Sequence, residues 1–218
     1  MQHSSPPQRL EWLVWATIGL AVGLVLGAYG YSRLGSAGAR RGEPPLPVLA
    51  RVTGFDLTNH VGQAISAADL RGQPWLAGII FTRCPGPCVR LTRNLVALQD
   101  QVPATTGLRF LLLTADPQHD VPEVLRQYGE RWGADPARWQ FVTGSQARLY
   151  RLATEQLLLA VAENPEPETA APQDLFLHTT KVVLVDGQGQ VRAAYDGEDP
   201  EALRRVADDL RRLAQEGS

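Results

Sequence analysis

Cys84 and Cys88 are the only cysteines in a chain of 218 residues, four positions apart in Phe81-Thr82-Arg83-Cys84-Pro85-Gly86-Pro87-Cys88. Ahead of them runs an apolar, β-prone stretch, Trp75–Phe81. Behind them Cys88, Leu91, Leu95, Leu98 and Val102 recur every three or four residues, the stripe of an amphipathic helix. On a helix, i and i+4 share one face with Cα atoms about 6 Å apart, within the range that a disulfide spans. The same spacing lets two thiolates converge on one soft metal ion. The free N–H groups of the helix start and the neighbouring Arg83 favour thiolate there, and Pro87 suits a first helical position. A structural disulfide or two buried small hydrophobes is the competing reading, which a tight turn with two prolines and a glycine opposes because it should expose sulfur.

Two thiolates alone hold Cu(I) or Zn(II) poorly, and imidazole is the usual complement. The chain has four histidines. His3 lies in the tail and His60 in an expected hairpin turn. His119 follows a strand end beside Asp116 and Asp120, and His178 stands just before an apolar strand. On spacing alone His119 and His178 are equal candidates.

The elements that must position these groups follow from the pattern. Val52–Leu70 reads as a hairpin turning at Asn59–Gly62, and Leu108–Thr114 as a second buried strand after the cysteine strand. Asp120 is expected to cap a helix bearing Leu125, Tyr128 and Trp132, with Glu123 completing a capping box. Ser145 starts a helix with Leu149, Leu152 and Gln156 on one face. Ala160–Asp174, acidic and Pro-rich, reads as a surface excursion or lid. Lys181–Asp186 and Gln190–Asp196 form a hairpin about Gly187–Gly189, and Asp199 caps a last helix with Leu203, Val206, Leu210 and Leu213 inward. Hairpin, βα, βα, α, ββ, α implies an α/β fold, a central sheet with flanking helices, and puts the cysteines at the carboxyl edge of that sheet.

Composition bounds the rest. A net charge of −2 without a run of Lys or Arg gives nucleic acid no electrostatic footing, and two cysteines make no disulfide scaffold. Trp12–Tyr31 is twenty residues without a charge, long enough to span a bilayer, with Trp and Tyr at its ends. A cleaved signal peptide ending near Ala37–Ala39 is the alternative. The chain then divides into a tail at 1–11, a transmembrane anchor at 12–31, a linker at 32–47 and a domain at 48–218. Arg33, Arg40 and Arg41 after the anchor outnumber Arg9 before it, which by the positive-inside rule argues for a cytosolic domain; the cysteine site argues for the opposite side.

Phe81–Cys88, Thr114-Ala115-Asp116-Pro117 followed by Asp120, and Leu177-His178-Thr179-Thr180 leading into Leu184-Val185-Asp186 resemble the SCO/SenC family. So do Asp69-Leu70-Arg71-Gly72 and the single N-terminal anchor. The resemblance covers most of Gly54–Leu213. It implies a thioredoxin-like fold, a domain facing the periplasm or its equivalent, and copper, as Cu(I) and Cu(II), held by Cys84, Cys88 and His178. It further implies a metallochaperone for the copper A subunit of cytochrome c oxidase, donating copper, reducing the target cysteines as a redox pair, or both. Val89 stands where the family commonly has proline. Asp116 and Asp120 match acidic family positions, read here as a turn and a cap and not as ligands. The rival reading is a membrane-anchored thiol–disulfide oxidoreductase without a metal role. Against it, the thioredoxin CxxC is absent and His178-Thr179-Thr180 replaces the Thr-Pro pair. A thiol peroxidase fails because Ala77 and Phe81 occupy its Pro and Thr positions.

Overall fold

The computed structural model describes residue 15 and residues 18–25, 44–166 and 168–216. It divides into two units, 1–44 and 45–218, of which the second carries the sheet. Most of the expected anchor, and the linker up to residue 43, lie outside the described residues. Trp15 and residues 18–25 are helical and exposed. Among the described residues no helix is long and apolar enough to cross a membrane, so the expected transmembrane helix is not supported.

Among the described residues of the second unit there are ten strands. They are β1 (Ala50–Arg51), β2 (Asp56–Asn59), β3 (Ala64–Ser66), β4 (Trp75–Ile80), β5 (Arg109–Thr114), β6 (Trp139–Thr143), β7 (Val161–Glu163), β8 (Phe176–His178), β9 (Lys181–Val185) and β10 (Gln190–Asp196). Eight form one sheet in the order β1-β10-β9-β4-β5-β6-β2-β3, and β7 and β8 form a separate pair. The helices are α1 (Pro87–Gln101), α2 (Pro122–Trp132), α3 (Gln146–Arg151) and α4 (Pro200–Glu216).

Every residue of β4 is buried, which requires cover on both faces of the sheet and explains why its sequence is apolar throughout. β4 and β5 run parallel, Trp75 opposite Arg109 through Ile80 opposite Thr114. β9 runs antiparallel to β4, with Ala77 opposite Val183. The carboxyl ends of β4 and β5 therefore meet the amino end of β9 at one edge. Leu91, Leu95 and Leu98 bury the inner face of α1 as their spacing requires, and Leu203, Val206 and Leu210 do the same for α4. Beneath them Phe110 stacks on Trp139 at 4.5 Å and Trp139 on Phe141 at 5.5 Å.

Three expectations need correction. Asp120 does not cap α2: Val121 holds that position without a side-chain cap, and Glu123 pairs with Arg126 at 2.5 Å. Asp120 is fully buried and engaged elsewhere. The Ala160–Asp174 segment is not all loop, because its first residues form β7. The strand β6 was not expected, because its Trp-Gln-Phe-Val-Thr lacks both alternation and helical period.

Candidate metal centre

The site is assembled at that sheet edge. After β4 the chain turns sharply, Cys84 N–H donating to the Phe81 carbonyl at 3.2 Å. Gly86 then caps α1, Pro87 opens it, and Cys88 occupies its first turn. Cys88 Sγ accepts the Phe81 N–H at 3.5 Å. Both cysteines are free thiols. They are buried, Cys84 2% and Cys88 0% exposed, so the expectation that this turn bares its sulfurs is wrong. The β7–β8 pair packs against Phe81, the residue that opens the turn. Phe176 meets the Phe81 ring edge-on at 5.2 Å, and His178 does so at 5.7 Å.

His178 ends β8, opposite Val161 of β7. Its Nδ1 lies 3.0 Å from the Thr179 carbonyl, which can only accept, so Nδ1 carries the proton. In the neutral ring Nε2 then presents a lone pair, and it points at Cys88 Sγ from 3.4 Å. Backbone fixing of one ring nitrogen to aim the other is the usual arrangement of a metal-binding histidine. His119, the other candidate, is exposed on the loop after β5, and no contact joins it to the sulfurs.

The two thiols differ. Cys84 is pushed well below the ordinary thiol range, first by the hydrogen bond from Cys88, against the opposing effect of burial, and further by the N–H groups of Cys88 and Gly86. Cys88 is pushed up, because it keeps the proton that it shares with Cys84 and is desolvated. The N–H groups at the helix start thus add to the Cys88 hydrogen bond at Cys84, while Cys88 itself stays a thiol. Arg83 does not take part: its guanidinium is held by Asp116, Nη2 to Oδ2 at 2.6 Å and Nε at 3.1 Å.

A second set of residues, not foreseen as part of the site, fixes the cysteine turn. Asp120 accepts the Thr82 N–H at 3.1 Å, the Thr82 hydroxyl, and the Thr114 hydroxyl at 2.5 Å. Thr114 in turn accepts the Asp116 N–H at 2.9 Å. Burial, the largest influence, raises the Asp120 carboxyl above its usual range despite these donors. Thr82 and Thr114 end or follow adjacent parallel strands, a pairing visible in sequence only once the β4–β5 register is known.

The SCO1/SenC family profile matches residues 48–215. The chain belongs to the SCO1/SenC family. It is 29% identical over 153 residues to the SCO1 protein homolog of Bacillus subtilis, covering 69% of this chain and 76% of that protein. Its structure is similar to that of BsSco, a member of the Sco family of cytochrome c oxidase assembly proteins in which a disulfide switch was identified. That similarity has a TM-score of 0.65 at 25% identity, over 79% of this chain and 97% of the other. The fold is shared with Bradyrhizobium japonicum ScoI, solved with copper bound, at TM-score 0.58 and 22% identity over 75% and 99% of the two chains. The thioredoxin-like architecture expected of this SCO1/SenC chain is therefore present.

Among the described residues no group of three or more His, Cys, Asp or Glu side chains is arranged to hold a metal ion as it stands. The donors nonetheless fit one. With bond lengths borrowed from zinc, sulfur and nitrogen on a trigonal metal lie about 3.8 Å apart. Cys88 and His178 are at 3.4 Å, so a few tenths of an ångström of separation admits an ion between them.

Proposed function

We propose that this SCO1/SenC protein binds copper through Cys84, Cys88 and His178 and passes it to the copper A subunit of cytochrome c oxidase. The observation that carries the reading is the His178 ring, its Nδ1 tied to Thr179 so that Nε2 faces Cys88, one of the chain's two cysteines. Two soft sulfurs with one imidazole suit Cu(I) and also tolerate Cu(II), whereas a dithiol reductase has no need of the ring. The copper-bound relative of the same fold supports the choice of metal. Copper is cargo here. Cys84, already the better thiolate, is the first donor to engage it, and Cys88 follows on losing its proton.

The unequal thiols also support a second role, reduction of the target cysteines. Cys84 thiolate attacks a disulfide sulfur of the target, forming a mixed disulfide and releasing one target thiolate. Cys88 gives up its proton to that thiolate and attacks Cys84. A Cys84–Cys88 disulfide closes, and the target leaves with two electrons gained, as one thiol and one thiolate, the thiolate taking its proton from water.

Both roles suit a domain outside the cytosol, held to the membrane by the apolar segment at 12–31, despite the arginines that follow it. A topology reporter fused after Ser218 tests the orientation; a reporter active only in the cytosol reverses it. The binding test is copper titration against a Cu(I) chelator. Wild type is expected to bind one copper tightly, Cys84→Ala and Cys88→Ala to lose tight binding, and His178→Ala to lose Cu(II) first and Cu(I) affinity second. Unchanged Cu(II) binding in His178→Ala, with loss in His119→Ala, contradicts the assignment.

A further inference from the structure

The turn after β10 touches both halves of the site. Gly197 N–H donates to the Thr180 carbonyl at 3.0 Å, extending the ladder in which Asp196 faces Lys181. Thr180 is two residues from His178. From the other side, Asn94 of α1 donates its Nδ2 to the Gly197 carbonyl at 3.0 Å. One turn earlier on α1, Arg90 pairs with Glu198 at 2.5 Å. Leu91, between them, packs against Gly197 itself. A Cβ at position 197 would lie 2.6 Å from the Thr180 oxygen and 3.0 Å from Leu91 Cγ and Cδ1.

The cysteine helix and the His178 joint are thus pressed together across one residue without a side chain. We propose that Gly197 is a positioning residue of the metal centre: its missing Cβ sets the gap between α1, which carries Cys88, and Thr179–Thr180, which carries His178. The proposal rests on the copper reading for its purpose but on packing alone for its geometry. The Thr180 oxygen belongs to the backbone and cannot rotate aside. With alanine at 197 it must retreat by about 0.4 Å to reach even 3.0 Å. Retreat from α1 carries the Thr179 carbonyl and the His178 ring with it. An ordinary contact at 3.4 Å asks for a retreat of about 0.8 Å, more than the roughly 0.5 Å that a metal constellation tolerates, and the shift falls on the third ligand, while Cys88 in α1 and Cys84 just before it keep their relation.

The experiment compares the full chain with its Gly197→Ala and Asn94→Ala variants. The first readout needs no metal: the His178 ring resonances of the reduced protein, assigned with His178→Ala and shaped by the edge-on Phe81 ring. Gly197→Ala is expected to move them while those of His60, in the β2–β3 turn, stay in place. The second readout is copper itself, with Cu(II) affinity falling about tenfold or more and Cu(I) affinity falling less. Should Gly197→Ala not fold, Asn94→Ala, which releases the turn without adding an atom, carries the test; its His178 resonances are expected to shift. A folded Gly197→Ala with unmoved His178 resonances and wild-type Cu(II) affinity overturns the proposal, as does an unmoved ring in Asn94→Ala when that variant carries the test. If wild type takes up no copper, the copper reading fails, and the ring resonances still decide whether Gly197 places His178.

Discussion

Cys84 and Cys88 share one helix start yet hold protons unequally, because only one thiolate can take the Cys88 hydrogen bond and the N–H groups at that end. The sign of the resulting pH dependence is fixed. Cys84, lowered, is thiolate at pH about 6–7, where an ordinary cysteine near 8.5 is mostly protonated. Cys88, raised, remains a thiol through that range. Brief alkylation of the reduced protein at pH 6.5, mapped by mass spectrometry, should therefore label Cys84 ahead of Cys88, with a Cys84 rate already level through the ordinary thiol range and falling only at pH well below it. Equal labelling, or Cys88 first, contradicts the asymmetry. Asp120 acts one residue further back, holding Thr82. Asp120→Ala leaves the half-buried Thr82 N–H and hydroxyl and the buried Thr114 hydroxyl without their acceptor, a loss of about 2–4 kcal/mol by denaturant unfolding. A loss below about 0.5 kcal/mol would mean that water replaces the carboxylate.

At the scale of elements, the β7–β8 pair decides whether the site exists. Alternation in β8 turns Phe176 and His178 toward Phe81 and leaves Leu177 outward, 52% exposed. Leu177→Ala should accordingly change stability by less than about 0.5 kcal/mol, while Phe176→Ala, which removes the edge-on contact with Phe81, should cost more. The reverse ranking would put the wrong face of the pair inward. This element was the least legible in the sequence. Val161–Glu163 and Phe176–His178 are three residues each, too short for a period, and the intervening Pro and Glu read as loop. The strands β4, β5, β9 and β10 and the helices α1 and α4 were legible within a residue or so, because each has a buried stripe or apolar run long enough to show its period. The proposed ligand set of Cys84, Cys88 and His178 was legible only with the family resemblance. Spacing alone could not separate His178 from His119, since the antiparallel pairing of β9 with β4 brings position 178 to the cysteine edge. Asp120 misled because a strand-end aspartate before Pro and Glu looks like a cap, and only the β4–β5 register shows what it faces.

Taken whole, the molecule concentrates its chemistry at the carboxyl edge of β4 and β5, where two parallel strands release loops beside the start of an antiparallel one. Among the described residues, the buried core below that edge is drawn from the second unit, 45–218. That segment, produced without residues 1–44, should unfold in a single cooperative transition and retain the reduced-state Cys84 reactivity. A broad, non-cooperative transition would mean that the preceding residues complete the fold. The central claim, that two sulfurs and one imidazole share one copper ion, is tested most directly by X-ray absorption of the copper-loaded protein. Two sulfur scatterers at about 2.3 Å, with zinc as the guide to distance, and one imidazole nitrogen that disappears in His178→Ala are the predicted result. A two-sulfur shell identical in wild type and His178→Ala in both Cu(I) and Cu(II) would contradict it.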